Sequence, residues 1–321
     1  MRKKTKVWLI IAASLVIIGF IIFTGVMTTL KWDFTRLSTV KLETNNYEIG
    51  QEFDNIHIKT DTADIIFKSS DDGKCKVECY DEQKAKHSVA AKNGTLFIEL
   101  KNNKRWYDYI GINFGGSPKI TVYLPKTEYA SLFISESTGD VRIPKDFTFK
   151  DVELSLSTGD VNFCASASEK IKIKTTTGDI GIDSISAGEL DLSVGTGTVT
   201  ALDISCAGEV SVNVSTGKAY LTDFKCKSII SDGNTGDIYL DNVIAEEKLS
   251  IKRSTGDIRF NGSDAAEIFV ETDTGNVTGT FLTDKVFIAQ TDTGRVDVPK
   301  TTSGGRCEII TDTGNIKISV V

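Results

Sequence analysis

The chain has 321 residues, 40% hydrophobic and 25% charged, which describes a folded protein with length for one or two domains and a sizeable core. Its formal net charge is −7, and the first thirty residues hold four basic side chains and no acid, leaving −11 for the rest. A body that acidic is a poor match for nucleic acid, and with only His57 and His87 most of the chain lacks the side chain that acid–base and zinc chemistry use most.

The N-terminus carries Arg2, Lys3, Lys4 and Lys6 and then runs uncharged from Val7 to Leu30. About 20 apolar helical residues cross the hydrocarbon of a bilayer. Basic residues before the span and a mixed flank after it (Lys31, Asp33, Arg36) predict a cytoplasmic N-terminus and an extracytoplasmic body. The apolar run exceeds that of a cleaved signal, and neither an Ala-x-Ala site nor a nearby cysteine follows it. The expectation is an uncleaved single-pass anchor over 1–30, with a membrane contact through 7–30 and a connector over 31–50.

From 51 to 130 the chain alternates apolar and polar residues, as in Ile56-His57-Ile58 and Ile120-Thr121-Val122-Tyr123-Leu124, with tight-turn signals at Asp72-Gly73 and Asn93-Gly94. This predicts a β-rich N-terminal cap. Within it Trp106, Tyr107, Tyr109, Ile110, Ile112 and Phe114 crowd together before Gly115-Gly116. Two readings stand: a contact surface for a glycan, lipid headgroup or partner, or rings that cover the end of the fold.

From 131 to 321 the dipeptide Thr-Gly recurs ten times at a regular spacing of 19 or 20 residues, with its glycine at Gly139, Gly159, Gly178, Gly197, Gly217, Gly236, Gly256, Gly275, Gly294 and Gly314. Seven and five residues before the glycine, and two and four after it, the positions are apolar: Ile171, Ile173, Ile180 and Ile182 around Gly178, for example. Period-two alternation means half-buried strands. The glycine supplies a left-handed corner between them, and the Asp or Asn that often follows suits a turn by bonding local backbone. One such unit cannot offset its own chain entropy, whereas stacked units share a continuous core. The fold class is therefore all-β: a parallel β-solenoid of ten 19–20-residue repeats, preceded by the cap and one transmembrane helix. At about 4.8 Å per turn, ten turns make a rod roughly 43 Å long. Thr60-Asp61-Thr62-Ala63-Asp64-Ile65 reads as a degenerate turn with Ala63 in the glycine position.

The alignment makes Cys206 and Cys226 stacked neighbours; Cys75 and Cys79 are too far apart along one strand to bridge, and the six cysteines read as free thiols. No CxxC or histidine-linked spacing points to a metal, and no cofactor is expected. Calcium rolls need two Gly-rich turns per roughly eighteen residues, where this repeat has one. The Thr-x-Thr pairs, such as Thr272/Thr274, read as hydrogen-bonding at the turn edge. The outward columns three residues after and four before the glycine show no pair of carboxylates on neighbouring turns for glycoside chemistry, and no nucleophile-elbow or phosphate-loop motif occurs, so no catalytic residues are expected. The outward residues that stand out are Tyr220 with Tyr239 and Phe269 with Ile288, the latter pair expected on adjacent turns. The last strand, Ile316 to Val321, reads as an uncapped edge open to end-to-end self-association.

The anchor, Ile110-Gly111-Ile112-Asn113-Phe114 leading to Ile120–Pro125, and the Ser-Thr-Gly-Asp runs at Ser137–Asp140 and Ser157–Asp160 together resemble a bacterial "putative adhesin" family of unknown function that includes LiaG-like proteins of cell-envelope stress operons. The resemblance implies a cell-surface β-solenoid and supplies no catalytic residues. The function expected is a non-enzymatic, membrane-tethered rod contacting an envelope polymer, an extracellular ligand or a protein partner. The alternative is an accessory partner of a membrane-embedded stress sensor or transporter.

Overall fold

The computed structural model describes residues 3–109 and 116–321; Ile110, Ile112, Phe114 and Gly115 fall outside the described residues. The chain opens with helix α1 (Lys3–Thr29), whose Thr5–Thr29 stretch contains 18 consecutive residues of mean hydropathy 2.8 and is long and apolar enough to span a membrane.

The remainder is one sheet wound on itself. Its first strands are β1 (Leu42–Ile49), β2 (Asn55–Thr62), β3 (Asp64–Ser69), β4 (Cys75–Glu82), β5 (Ala85–Lys92), β6 (Thr95–Asn102) and β7 (Lys119–Leu124). The stretch expected as a connector thus contributes β1, which pairs antiparallel with β4 along its whole length. The repeats follow as β8 (Glu128–Thr138), β9 (Val141–Ile143), β10 (Thr148–Thr158), β11 (Val161–Phe163), β12 (Ser166–Thr177), β13 (Ile180–Cys206), β14 (Glu209–Thr235), β15 (Ile238–Thr255) and β16 (Ile258–Thr274). The chain ends with β17 (Val277–Phe281), β18 (Lys285–Thr293), β19 (Val296–Asp297), β20 (Gly305–Thr313) and β21 (Ile316–Val320). From β8 onward every pairing is parallel, and the repeat glycines stack, as Gly197 on Gly217.

Two physical constraints fix that glycine. Nine of the ten have φ between 126° and 158°, a region that L side chains rarely enter. A Cβ on Gly159 would also stand 1.8 Å from the Gly139 carbonyl oxygen. The Asp or Asn that follows takes its backbone hydrogen bond from a neighbouring turn. It reaches across: the Asp160 N–H donates to Asp140 Oδ1 at 3.0 Å, the Asp179 N–H to Asp160 Oδ1 at 2.8 Å, and the Asn276 N–H to Asp257 Oδ1 at 2.9 Å. Three residues before the glycine a further inward column runs through Thr175, Thr272 and Thr311, whose hydroxyls donate to glycine carbonyls at 3.3, 3.5 and 3.1 Å. The Thr-x-Thr pairs therefore place one threonine inside and one outside.

A second corner lies six residues past the glycine, where Ser184, Asp203, Asp223 and Asn242 hold φ of 52–55° and Gly262 holds 57°. Asn and Asp tolerate that conformation because their short polar side chains bond locally; Asn242 Nδ2 donates to Asp223 Oδ1 at 2.6 Å. Beyond it, seven and nine residues past the glycine, Ile204, Cys206, Phe224, Cys226, Val243 and Ala245 point inward. Cys206 and Cys226 do lie on neighbouring turns, both buried and free, and burial pushes the Cys226 thiol up to about 12.

At both ends, neighbours in space are not neighbours in sequence. The β2–β3 turn sits between β8–β9 on one side and β6–β7 on the other. Ala63 does occupy the glycine column, since a Cβ on Gly139 would meet the Ala63 carbonyl oxygen at 2.3 Å. At the far end, β20–β21 inserts between β16–β17 and β18–β19. The strand expected as the free edge is therefore interior, with Ile316 and Ile318 buried, and the outermost turn is β18–β19. Phe269 and Ile288 are likewise not on adjacent turns, because both register with Glu308 from opposite sides. The period sets the spacing of turns along the chain and is indifferent to the order in which they stack.

Candidate contact surfaces and buried polar groups

The cap loop after β6 folds into one 3-10 turn, Trp106–Tyr109, whose rings face solvent: Trp106 is 77%, Tyr107 45% and Tyr109 63% exposed. They do not cover the end of the rod. Asp108 ties the turn down, bonded by Lys84 Nζ and accepting the Arg105 N–H at 2.9 Å; the Lys84 ammonium, then that N–H, hold its carboxyl below the usual range. Cations flank the rings. Lys104 lies 5.3 Å from the Tyr109 centroid and ion-pairs with Glu82 at 2.6 Å, and an Arg105 guanidinium nitrogen donates to the Tyr107 hydroxyl at 3.0 Å. Large exposed rings held by ion pairs form an amphipathic platform of the kind enriched at binding surfaces. The segment entering from α1 arrives beside it: the Gln83 N–H donates to the Lys41 carbonyl at 3.0 Å, and Leu42 registers with Glu82.

On the rod, Tyr220 and Tyr239 stack with centroids 4.8 Å apart and planes 9° from parallel, the in-register neighbours that the column required. Arg259 lies 5.3 Å and Lys218 5.9 Å from the Tyr239 ring, and Tyr239 donates to Asp237 Oδ2 at 3.1 Å. Phe269 is sandwiched by Lys248 at 4.9 Å and Arg306 at 5.6 Å, while Ile288, beyond the inserted strand, is 49% exposed. The tyrosine stack and Phe269 are half-buried and engaged with their own neighbours; the cap loop is the more open surface.

Three buried polar groups escaped the sequence reading. In the cap, Cys79, Asp81 and His87 bring ligand-type atoms within 4.8 Å of one another. Alternation places 79 and 81 on one face, and the β4–β5 turn folds His87 onto them. The cluster is satisfied internally: His87 Nδ1 meets Asp81 Oδ1 at 2.6 Å, Nε2 meets Thr60 Oγ1 at 2.8 Å, and the His87 N–H donates to Asp81 Oδ2 at 2.9 Å. In the inward column three before the glycine, Glu136 Oε1 accepts the Ala63 N–H at 3.2 Å while Oε2 has no partner; burial pushes its carboxyl up to about 8. In the same column Arg253 is buried, donating to the Val214 and Asp232 carbonyls and to Ser231 Oγ, and burial lowers its pKa. A Cβ on Gly233 would meet both that guanidinium at 1.6 Å and the Val214 carbonyl oxygen at 2.3 Å, the second of which cannot swing aside.

These features define the class: a parallel β-solenoid carrying one N-terminal apolar helix. The chain belongs to the Toastrack DUF4097 family, whose profile matches residues 53–210 and again 198–321. No curated protein matches it. Among solved structures it is similar to a "putative adhesin" from Parabacteroides merdae (13% identity, 87% of this chain and 96% of that one, TM-score 0.49) and to another from Bacteroides fragilis (18%, 87% and 97%, 0.43). A "putative lipid binding protein" from Parabacteroides distasonis is also similar (15%, 88% and 98%, 0.42).

Proposed function

We propose that this protein is a non-enzymatic, membrane-tethered binding rod, anchored through 7–30 with its N-terminus cytoplasmic, whose cap loop contacts an extracytoplasmic envelope polymer. The carrying observation is the exposure of Trp106, Tyr107 and Tyr109 on a turn that Asp108 ties to Lys84 and to the Arg105 N–H. Preorganised rings lose little entropy on binding, and an aromatic face suits the apolar face of a sugar ring or polymer repeat. The acidic body, ion-paired between turns as in Lys172–Glu153 and Lys252–Glu271, acts as the spacer.

The test is capture of the detergent-solubilised full chain by separated envelope fractions: peptidoglycan, anionic wall polymer, lipid vesicles and solubilised membrane proteins. Saturable capture by a polymer fraction, lost in Trp106→Ala/Tyr109→Ala, supports the reading. Capture by membrane protein alone would replace it with the accessory-partner role.

A further inference from the structure

At the C-terminal end of the rod a buried lysine meets a buried aspartate across an inserted strand. Lys285 opens β18, Asp264 lies in β16, and β20 runs between those strands. Gly305, the first residue of β20, registers with Lys285, and a Cβ on it would lie 1.9 Å from the Ala266 carbonyl oxygen. Only a residue without a side chain fits there, and Lys285 Nζ stands 2.5 Å from Asp264 Oδ1, the two side chains retaining 4% and 10% exposure. Every other lysine–carboxylate pair among the described residues is more exposed on both partners.

The surroundings suit condensation better than a lasting ion pair. Nζ also donates to Thr283 Oγ1 at 2.6 Å, the Ala265 N–H donates to Asp264 Oδ1 at 2.7 Å, and Asp264 Oδ2 is buried with no partner. A dry ion pair with an orphaned oxygen is costly to hold, and an amide in its place removes both charges and the orphan. We propose that Lys285 and Asp264 become joined by an intramolecular amide bond after folding.

The step balances within the pair. The ammonium passes one proton to the carboxylate, and the freed Nζ lone pair attacks Cγ. The C–N bond forms while the Ala265 N–H stabilises the charge developing on Oδ1. The Cγ–Oδ2 bond then breaks, and Oδ2 leaves as water with the carboxyl proton and a second proton from the nitrogen. No oxidant or cofactor is needed. The product ties the outermost turn to β16, past the strand that separates them.

The experiment is mass spectrometry of the denatured full chain, measured beside Lys285→Arg from the same preparation so that processing elsewhere cancels. The expected mass is one water, about 18 Da, below the sequence mass, with a branched tryptic peptide joining the segments of residues 264 and 285. Lys285→Arg and Asp264→Ala should run at their full sequence masses, and Asp264→Asn should lose ammonia, about 17 Da, instead. Should the variants fail to fold, the wild-type peptide map decides alone. Wild-type protein at full sequence mass, with both segments recovered as linear peptides, overturns the proposal. This inference stands or falls apart from the binding role of the cap loop.

Discussion

The two ends of the solenoid solve the same problem differently. At the N-terminal end the outer turn, β6–β7, is itself covered by antiparallel strands: β4 pairs with β7 and β5 with β6. Val77, Cys79, Leu96, Ile98 and Val122 are all fully buried there. At the C-terminal end no strand among the described residues covers β18–β19, and Val286, Ile288 and Val296 are 38%, 49% and 44% exposed. A parallel stack presents the same unpaired edge however many turns it adds, so closing it takes a reversal of strand direction. The end nearest α1 has that reversal and the far end does not.

The largest expected effect tests what both ends share with the middle. Gly159→Val places a Cβ against the Gly139 carbonyl in a backbone region valine avoids; the cost is about 3 kcal/mol or more, read as collapse of cooperative urea unfolding. Ile318→Lys sharpens the contrast between the ends. If β21 is interior, burying the charge costs about 3 kcal/mol, whereas Ile288→Lys on the open turn changes stability by about 0.5 kcal/mol or less. Equal, small effects would return the free edge to the C-terminal strand.

Glu136 gives a pH signature to the cap side. Its folded carboxyl titrates near 8 against an ordinary 4.5, so the folded state holds a proton that the unfolded chain has lost. Its contribution is full below about 4.5 and is lost as pH rises toward 8. Unfolding midpoints should fall across that window, and Glu136→Gln should flatten the fall. Smallest of all, Trp106→Ala and Tyr109→Ala should leave the midpoint within about 0.5 kcal/mol of wild type, since those rings cover no core.

The solenoid was legible because glycine is forced at one corner of each of the ten repeat turns. The carbonyl contact in all ten, and the φ in nine, exclude a side chain, so the glycine repeats where the apolar residues only alternate; Ala63 takes that place in the degenerate turn. The second corner was less legible: Ser184, Asp203, Asp223, Asn242 and Gly262 share a left-handed conformation but not an identity. The stacking order was not legible at all. The turns of Gly275, Gly294 and Gly314 carry nearly the same text, Thr-Asp-Thr-Gly, so any of them fits beside another. Of the candidate surfaces, the Tyr220–Tyr239 stack followed from the column alone, and Phe269–Ile288 failed because it assumed sequential stacking. Glu136 and Arg253 were hidden because a polar residue amid alternation reads as outward until a third inward column is known.

The inserted strand has a consequence for how the molecule is made. Residues 305–320 leave the ribosome after both of the turns between which they belong. Turn-by-turn growth from the N-terminal side can therefore build the rod only as far as β17. The segment of β18 and β19 must wait, unseated, until β20 and β21 slip beneath it, so the outermost turn docks only after strands made later than itself are in place.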